Sequence, residues 1–414
     1  MRFNQPFFNN NRGTFNFLDR WTNQPVGDFL LGLLNTTSRT VGITRNYLRT
    51  TSYGAFFNDD YKVTRSLTLN LGLRYELDLP PVDRYDRASN FIPELNKIVI
   101  ASDANLPNLA ARVAGANLTD RVALARDFDL PRSLVYADHN NFAPRVGFAW
   151  RVFSNQKTVL RGGWGIFYTG HLLNPIRTSL MTGFPFTANE TYSRLASEPN
   201  LLTLSDPFPE RRRAEGGVTT SNGYDLHAPT GYVASYNLTV ERDLGGGTAI
   251  ELGYVGSKGT HLGRQYDVNQ PIRTLELYQA GLAFPRPISG LNAINFYSFG
   301  SNSTFNAGQV SLRKRGRGGL FFRVNYSLSK SVDDASQLSG NSDGGVAGAQ
   351  NARDLKSERA RSDFDRRHTF TAAFSWQLPV GRRHRFLSGA GGLAQALTGG
   401  WQLSGTAVLY SGQP

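Results

Sequence analysis

Leu67-Thr68-Leu69-Asn70-Leu71-Gly72-Leu73-Arg74-Tyr75-Glu76-Leu77-Asp78 is the stretch that decides the fold. Every odd position is apolar and every even one is polar or glycine. A strand sends successive side chains to opposite faces, so this segment has one wholly apolar face and one wet face. It is much longer than the usual soluble strand of about 5–6 residues. It suits a tilted membrane strand, which needs about 9–11.

The pattern recurs along the chain. Residues 146–152 align Val146, Phe148, Trp150 and Val152, and residues 158–168 align Leu160, Trp164, Ile166 and Tyr168. Further runs lie at 232–240, 248–256, 320–328, 370–378 and 401–409, with weaker ones at 13–18, 51–62 and 304–315. That makes about eleven strands. Short links at 63–65, 154–157, 243–247 and 316–319 alternate with long ones at 79–141, 170–230, 259–303 and 333–366. In an up-and-down barrel every second connection lies at the same rim, and outer-membrane barrels have short periplasmic turns and long extracellular loops. The fold expected is therefore all-β: an antiparallel up-and-down transmembrane β-barrel with long extracellular loops. One link, 380–399, is long where a short turn belongs, and Leu393-Ala394-Gln395-Ala396-Leu397 reads as a short helix.

Composition agrees. The 414 residues hold 40% hydrophobic and 12% aromatic residues, and no run is long and apolar enough for a membrane helix. A mean hydropathy of -0.35 is compatible with barrel strands, whose two faces average out. Zero cysteines excludes a disulfide framework and thiolate metal sites. The net charge of +13 raises nucleic-acid binding as a sharp reading. Its clusters, Arg211-Arg212-Arg213, Arg313-Lys314-Arg315 with Arg317, and Arg382-Arg383 with Arg385, are far apart and share no nucleic-acid motif. Solvated loops and rims facing anionic lipid or lipopolysaccharide are the simpler reading, so no nucleic-acid partner is expected. Tyr75, Tyr168 and Tyr410 fall near strand ends of one rim, as an aromatic girdle requires.

Several segments resemble TonB-dependent receptors of the Oar-like branch. Phe57-Asn58-Asp59-Asp60-Tyr61-Lys62-Val63-Thr64 followed by residues 67–76 resembles a recurrent barrel hairpin, and Asn141-Phe142-Ala143-Pro144-Arg145-Val146-Gly147-Phe148-Ala149-Trp150 the next strand. Ser362-Asp363-Phe364-Asp365-Arg366-Arg367-His368, Gly400-Trp401-Gln402-Leu403-Ser404-Gly405 and Gly27-Asp28-Phe29-Leu30-Leu31-Gly32-Leu33 resemble other parts of that branch. The resemblance implies a receptor that moves large or scarce substrates with energy passed through the TonB complex. It also implies a signal peptide, a plug and 22 barrel strands. This chain shows about half a barrel, starts without a signal-peptide pattern and ends at Ser411-Gly412-Gln413-Pro414. Residues 1–414 are thus expected to be a partial barrel domain. Its sheet edges would lie near 13–18 and 400–411, and TonB would act only through a missing N-terminal region. A non-transporting adhesin or a passive porin is the alternative.

No catalytic constellation emerges, and neither an enzyme activity nor a cofactor is expected. Gly340-Asn341-Ser342-Asp343-Gly344 matches a nucleophile elbow by chance, in a loop rather than between strand and helix. The histidines, His139, His171, His227 and His261 among them, are scattered. Asp333-Asp334 and Asp363 with Asp365 offer hard oxygens for Ca²⁺ but no regular binding loop. Asn35-Thr36-Thr37 fits a glycosylation acceptor, a pattern with many chance matches. Arg74, Arg145, Arg151, Arg161 and Arg323 fall on the wet face and are the candidate lumen-facing residues, most simply as partners of neighbouring carboxylates. Leu67, Leu69, Leu71, Leu73, Phe322, Val324 and Tyr326 should face outward. Thr68, Asn70, Arg74, Arg323 and Asn325 should face inward.

Overall fold

A computed structural model describes residues 2–6, 12–43, 45–170, 173–193, 202–209, 220–316, 319–336, 348–381, 386–389 and 391–414. Eleven strands form one continuous path: β1 (Arg2–Pro6), β2 (Arg45–Lys62), β3 (Leu67–Asp83), β4 (Phe142–Arg151), β5 (Thr158–Tyr168), β6 (Tyr232–Gly245), β7 (Thr248–Asp267), β8 (Ala293–Arg315), β9 (Leu320–Asp333), β10 (His368–Gln377) and β11 (Gln402–Tyr410). Every neighbour on this path pairs antiparallel with the next, as the alternating links require. Among the described residues the path is open, because β1 and β11 are not paired with each other.

Register carries the two-faced pattern across the sheet. Leu67 stands opposite Trp150, Trp150 opposite Leu160, Leu160 opposite Val240, and Val240 opposite Leu252. The row continues through Val310, Tyr326, Phe370 and Leu409. It is apolar on nine strands, and most of its members are exposed, Leu252 by 49% and Leu409 by 64%. An apolar row this long and this uncovered needs lipid against it. One residue along, the row is Thr68, Ala149, Arg161, Thr239, Gly253, Gln309, Ser327 and Thr369. The same parity puts Leu69, Leu71, Leu73, Phe322 and Val324 on the apolar face and Asn70, Arg74, Arg323 and Asn325 on the other. The short turns are tight: Gly245, Gly246 and Gly247 all have positive φ. A Cβ on Gly247 would sit 2.2 Å from the Arg315 carbonyl oxygen.

Two expectations fail. Residues 13–18 are not a barrel strand. Thr14–Asn16 pairs with Thr36–Gly42, which also pairs with Thr187–Ser193 in a separate small sheet. Phe15 and Phe17 alternate because they pack on Leu34, Tyr192 and Leu202, so protein rather than lipid covers that face. The first edge strand is β1, and residues between β1 and β2 form a further long connection. Tyr410 also leaves the girdle. It pairs with Thr369 on the polar face, beneath the Arg366 guanidinium at 4.1 Å. The girdle that exists on the apolar face joins Tyr75 to Phe142 and Tyr168 to Tyr232, with ring centroids 4.9 Å and 5.6 Å apart.

Several strands outrun their apolar stripes. β7 has 20 residues and β8 has 23. At about 3.3 Å per residue, β8 is roughly 75 Å long. A barrel's apolar band is only about 25 Å tall. The upper parts of β7 and β8 therefore project beyond the membrane at the long-loop rim. There the segment Thr220–Tyr224 adds to β8 in parallel and covers an edge that β9 has already left. A second parallel strand pair, Lys97–Ile100 with Val122–Leu124, also lies in a long connection. The helix expected at 393–397 is present as Gly392–Thr398.

Candidate functional site

Two surfaces converge at the long-loop rim: the polar sheet face and a cap made by the connections. All five candidate arginines share the polar face, because Arg145 pairs with Gly72, Arg161 with Ala149, and Arg323 with Arg313. They form no single cluster. Glu241 accepts from Arg161 at 3.0 Å and from Arg313, two strands away, at 2.6 Å. Arg74 pairs with Glu76 on its own strand. Arg145 lies over the Phe167 ring at 4.4 Å, and Arg323 donates to Asn325 at 3.2 Å. Arg151 stands at the short-turn end of β4, where its own N–H donates to the Ser66 carbonyl. Glycines 72, 147, 163 and 165 strip side chains from the middle of this face. They leave an open depression of about 470 Å³ bordered by Asn58, Asp60, Asn70, Arg145, Ser235 and Asn237.

The cap is where the chain buries its apolar side chains. One core joins Leu48, Ile92, Val99, Leu134, Ile176, Leu180, Met181 and Tyr224. A second joins Phe91, Ile98, Val113, Leu118, Phe184, Leu291 and Ile294. Apart from Leu48 on β2 and Ile294 on β8, these residues come from the connections after β3, β5 and β7, so three long loops pack together and onto the strand ends. Phe91-Ile92 and Lys97-Ile98-Val99-Ile100 form a hairpin, turning at Asn96 with φ 51. Buried polar side chains fix the loops to the strands and close them on themselves. Asn46 donates to the Met181 carbonyl at 2.9 Å. Asn269, fully buried, donates to the carbonyls of Ile288, Leu291 and Asn292 and accepts from the Ile288 N–H. Arg264, 5% exposed, bonds Asp334 at 2.8 Å, Ser301 at 2.5 Å and the Leu355 carbonyl at 3.5 Å. Asp28 is buried in the connection before β2 and accepts from the N–H groups of Arg20, Trp21 and Thr22. Burial pushes its carboxyl up, but those donors and the Thr22 hydroxyl bring it below the usual value. Asp225, by contrast, is raised by burial and by nearby Glu94, against the His227 N–H and charge that lower it.

The candidate chemistry resolves into structure. Asp334 is taken by Arg264 and Asp365 by Arg361 at 2.8 Å, so the four acidic residues do not converge on a cation. Among the described residues, no group of three or more potential metal-ligating side chains gathers. His227 stacks on Tyr136 at 4.8 Å, and His261 lies 6.1 Å from the Tyr232 ring. The carbonyl of His139 accepts from the Tyr75 hydroxyl at 3.1 Å. Thr37 of the glycosylation pattern is buried and donates to the Pro207 carbonyl at 2.5 Å. His171, the segment Gly340–Gly344, and the basic residues Arg211, Arg212, Arg213, Arg317, Arg382, Arg383 and Arg385 lie outside the described residues. Sequence reading missed Asn46, Asn90, Arg264 and Asn269. Their neighbours Arg45, Ser89, Gln265 and Gln270 are themselves polar, so nothing in the sequence singles them out.

The sequence matches the family model of the outer membrane beta barrel domain over residues 1–414. The chain belongs to that family. An outer-membrane β-barrel places the nine-strand apolar row in lipid and the chain in the outer membrane. A search of the curated proteins finds no match. Among solved structures, the barrel is similar to the outer membrane transporter YddB from Escherichia coli at 12% identity and a TM-score of 0.46, covering 83% of this chain and 35% of that one. The alcaligin outer membrane receptor FauA from Bordetella pertussis gives 10% and 0.33, covering 84% and 40%. The FrpB iron transporter from Neisseria meningitidis gives 12% and 0.31, covering 84% and 44%. The barrel thus spans less than half the length of each of these chains, and its family assignment rests on the whole-chain match.

Proposed function

We propose that residues 1–414 form part of the barrel of a TonB-dependent outer-membrane receptor that takes up or translocates a large substrate. Recognition lies in the long-loop cap. One observation carries this reading: three long connections pack together in two cores at the long-loop rim, and the buried Asn90 amide ties the first of them to the second. A binding surface of this kind is set before ligand arrives, because loops on a rigid scaffold carry recognition. A passive pore needs no such body over its mouth. Energy transfer from the TonB complex acts through a region outside these residues, and the polar arginine face lines the path.

The test uses cells that make the full-length protein, given labelled ferric chelates, oligosaccharides and peptides in turn. Uptake of one class should stop when a protonophore discharges the inner membrane and when the cap connection 84–141 is deleted. Uptake that persists without energy and scales with concentration identifies a passive porin. Surface retention without uptake identifies an adhesin.

A further inference from the structure

Above the aromatic girdle, the apolar face ends in arginines that no sequence cluster announces. On β2 the lipid-side residues run Tyr61, Asp59, Phe57, Ala55, Tyr53, Thr51, Arg49, Tyr47 and Arg45 towards the long-loop rim. A bulge in β3 between Leu79 and Val82 keeps Arg49 opposite Val82. The Arg84 N–H then donates to the Tyr47 carbonyl at 2.9 Å, which puts Arg84 on the same side. Arg49 lies four residues above Tyr53, about 13 Å along the strand, or about 9 Å of height at a tilt of about 45°. That is the level of the headgroups when the girdle marks the edge of the hydrocarbon.

The side chains at this level are organised. Tyr47 and Tyr85 meet edge to face at 5.3 Å. The Arg87 guanidinium lies 5.5 Å from the Tyr47 ring and 5.0 Å from the Tyr85 ring, and Arg84 lies 5.4 Å from Tyr85. Asp83, with a fully buried side chain, holds Arg87 at 3.1 Å and accepts from the N–H groups of Tyr47 and Tyr85. Arg132 pairs with Asp86 and keeps 55% of its side chain exposed. Arg87 and Arg132 are thus held by Asp83 and Asp86, and Arg45 and Arg84 are exposed. Arg87 spends its donors on the Asp83 carboxylate and the Arg45 carbonyl and braces the site, while the exposed Arg84 guanidinium beside the Tyr85 ring is placed to meet a phosphate by two parallel hydrogen bonds.

We infer that Arg45, Arg84 and Arg132, with Arg87 bracing them, form a docking site for the phosphates of an outer-leaflet glycolipid headgroup, with the acyl chains lying on the Tyr53–Phe57 stripe below. Charge complementarity and position select this occupant: the site is cationic, faces lipid and sits just above the girdle. It rests on the long-loop rim being the outer one.

The full-length protein, purified in detergent, is examined by native mass spectrometry against diphosphoryl lipid A, the same lipid with both phosphates removed, and inorganic phosphate. Diphosphoryl lipid A should remain bound and the dephosphorylated lipid should not. Inorganic phosphate at millimolar concentration should not displace the lipid. The triple variant Arg45→Gln, Arg84→Gln, Arg132→Gln should bind diphosphoryl lipid A about tenfold or more weakly. Equal retention of the two lipids, full displacement by inorganic phosphate, or unchanged binding by the variant overturns the site. If the triple variant loses its heat-modifiable band, the exposed single change Arg84→Gln carries the same comparison, and the two-lipid contrast on the unaltered protein decides by itself.

Discussion

The Asn90 side chain and the Tyr224 backbone exchange two hydrogen bonds: Asn90 donates to the Tyr224 carbonyl at 2.9 Å and accepts its N–H at 2.8 Å. The same amide donates to the Leu134 carbonyl at 3.1 Å. One fully buried side chain thus does the work of a strand edge between connections that are distant in sequence. Asn90→Leu should leave these backbone groups unpaired in the core, at about 1–3 kcal/mol each. The expected outcome is rapid proteolysis within 84–141 while the barrel keeps its heat-modifiable migration. Unchanged protease resistance would show that the cap does not depend on this amide.

Arg264 is the corresponding pin for the connection between β9 and β10. Its loss strands Asp334 and uncouples Leu355 from β7. Arg264→Met is expected to cost about 3–5 kcal/mol, as for a buried pair that loses one partner. Amide exchange measured by mass spectrometry should rise in residues 348–365 and stay low in β4 to β6. A rise spread evenly over all strands would mean that Arg264 supports the barrel rather than the loop.

Asp365 gives a pH dependence with a definite sign. Burial pushes its carboxyl up, but hydrogen bonds from Arg361 and the Ser331 N–H, with the Arg361 and Arg367 charges, bring it below the usual value. A lowered folded value means that the charged form stabilises the native loop. That contribution is complete above the unfolded value of about 3.9 and is lost as pH falls through the lower folded one. A spin label on Lys356→Cys should stay immobile from neutral pH down to about 4 and gain mobility only below that. In Asp365→Asn it should be mobile throughout. Loosening that begins near neutrality would reverse the assignment.

Face assignment makes its own mutational contrast. Leu71→Arg puts a charge in the lipid-facing row beside Val146 and is expected to cost about 2–4 kcal/mol near mid-membrane. Asn70→Arg, one residue away on the polar face, should cost less than about 1 kcal/mol. Denaturant unfolding of protein refolded into liposomes measures both, and equal costs would erase the distinction between faces.

The barrel was legible in the sequence because lipid imposes a period of two on one face. Leu67 to Leu77 could be read unaided, and pairing then aligned it with Trp150, Leu160 and Val240. The same signal misled at Phe15 and Phe17, since alternation reports a covered face without saying what covers it. It also stopped short on β7 and β8: beyond the membrane both faces of Ser257 to Asp267 meet water or the cap, so no stripe marks the strand. Placement of the arginines followed from parity. The sharing of Glu241 by Arg161 and Arg313 did not, because it depends on strands two positions apart. The cap was read as bare loop, although the hairpin at Phe91 to Ile100 has its turn and β-branched flanks in plain view.

Which face meets lipid can be measured directly, and the absence of cysteine from all 414 residues makes single labels clean. Spin labels are placed one at a time at Leu69, Asn70, Leu71, Gly72 and Leu73, and at Val146 and Gly147, each changed to Cys in the full-length protein in liposomes. Collisions with oxygen, which concentrates in hydrocarbon, are compared with collisions with a water-soluble nickel chelate. Labels at 69, 71, 73 and 146 should favour oxygen, and labels at 70, 72 and 147 should favour nickel, alternating at every residue. The reverse alternation, or none, would contradict a membrane barrel built on this register.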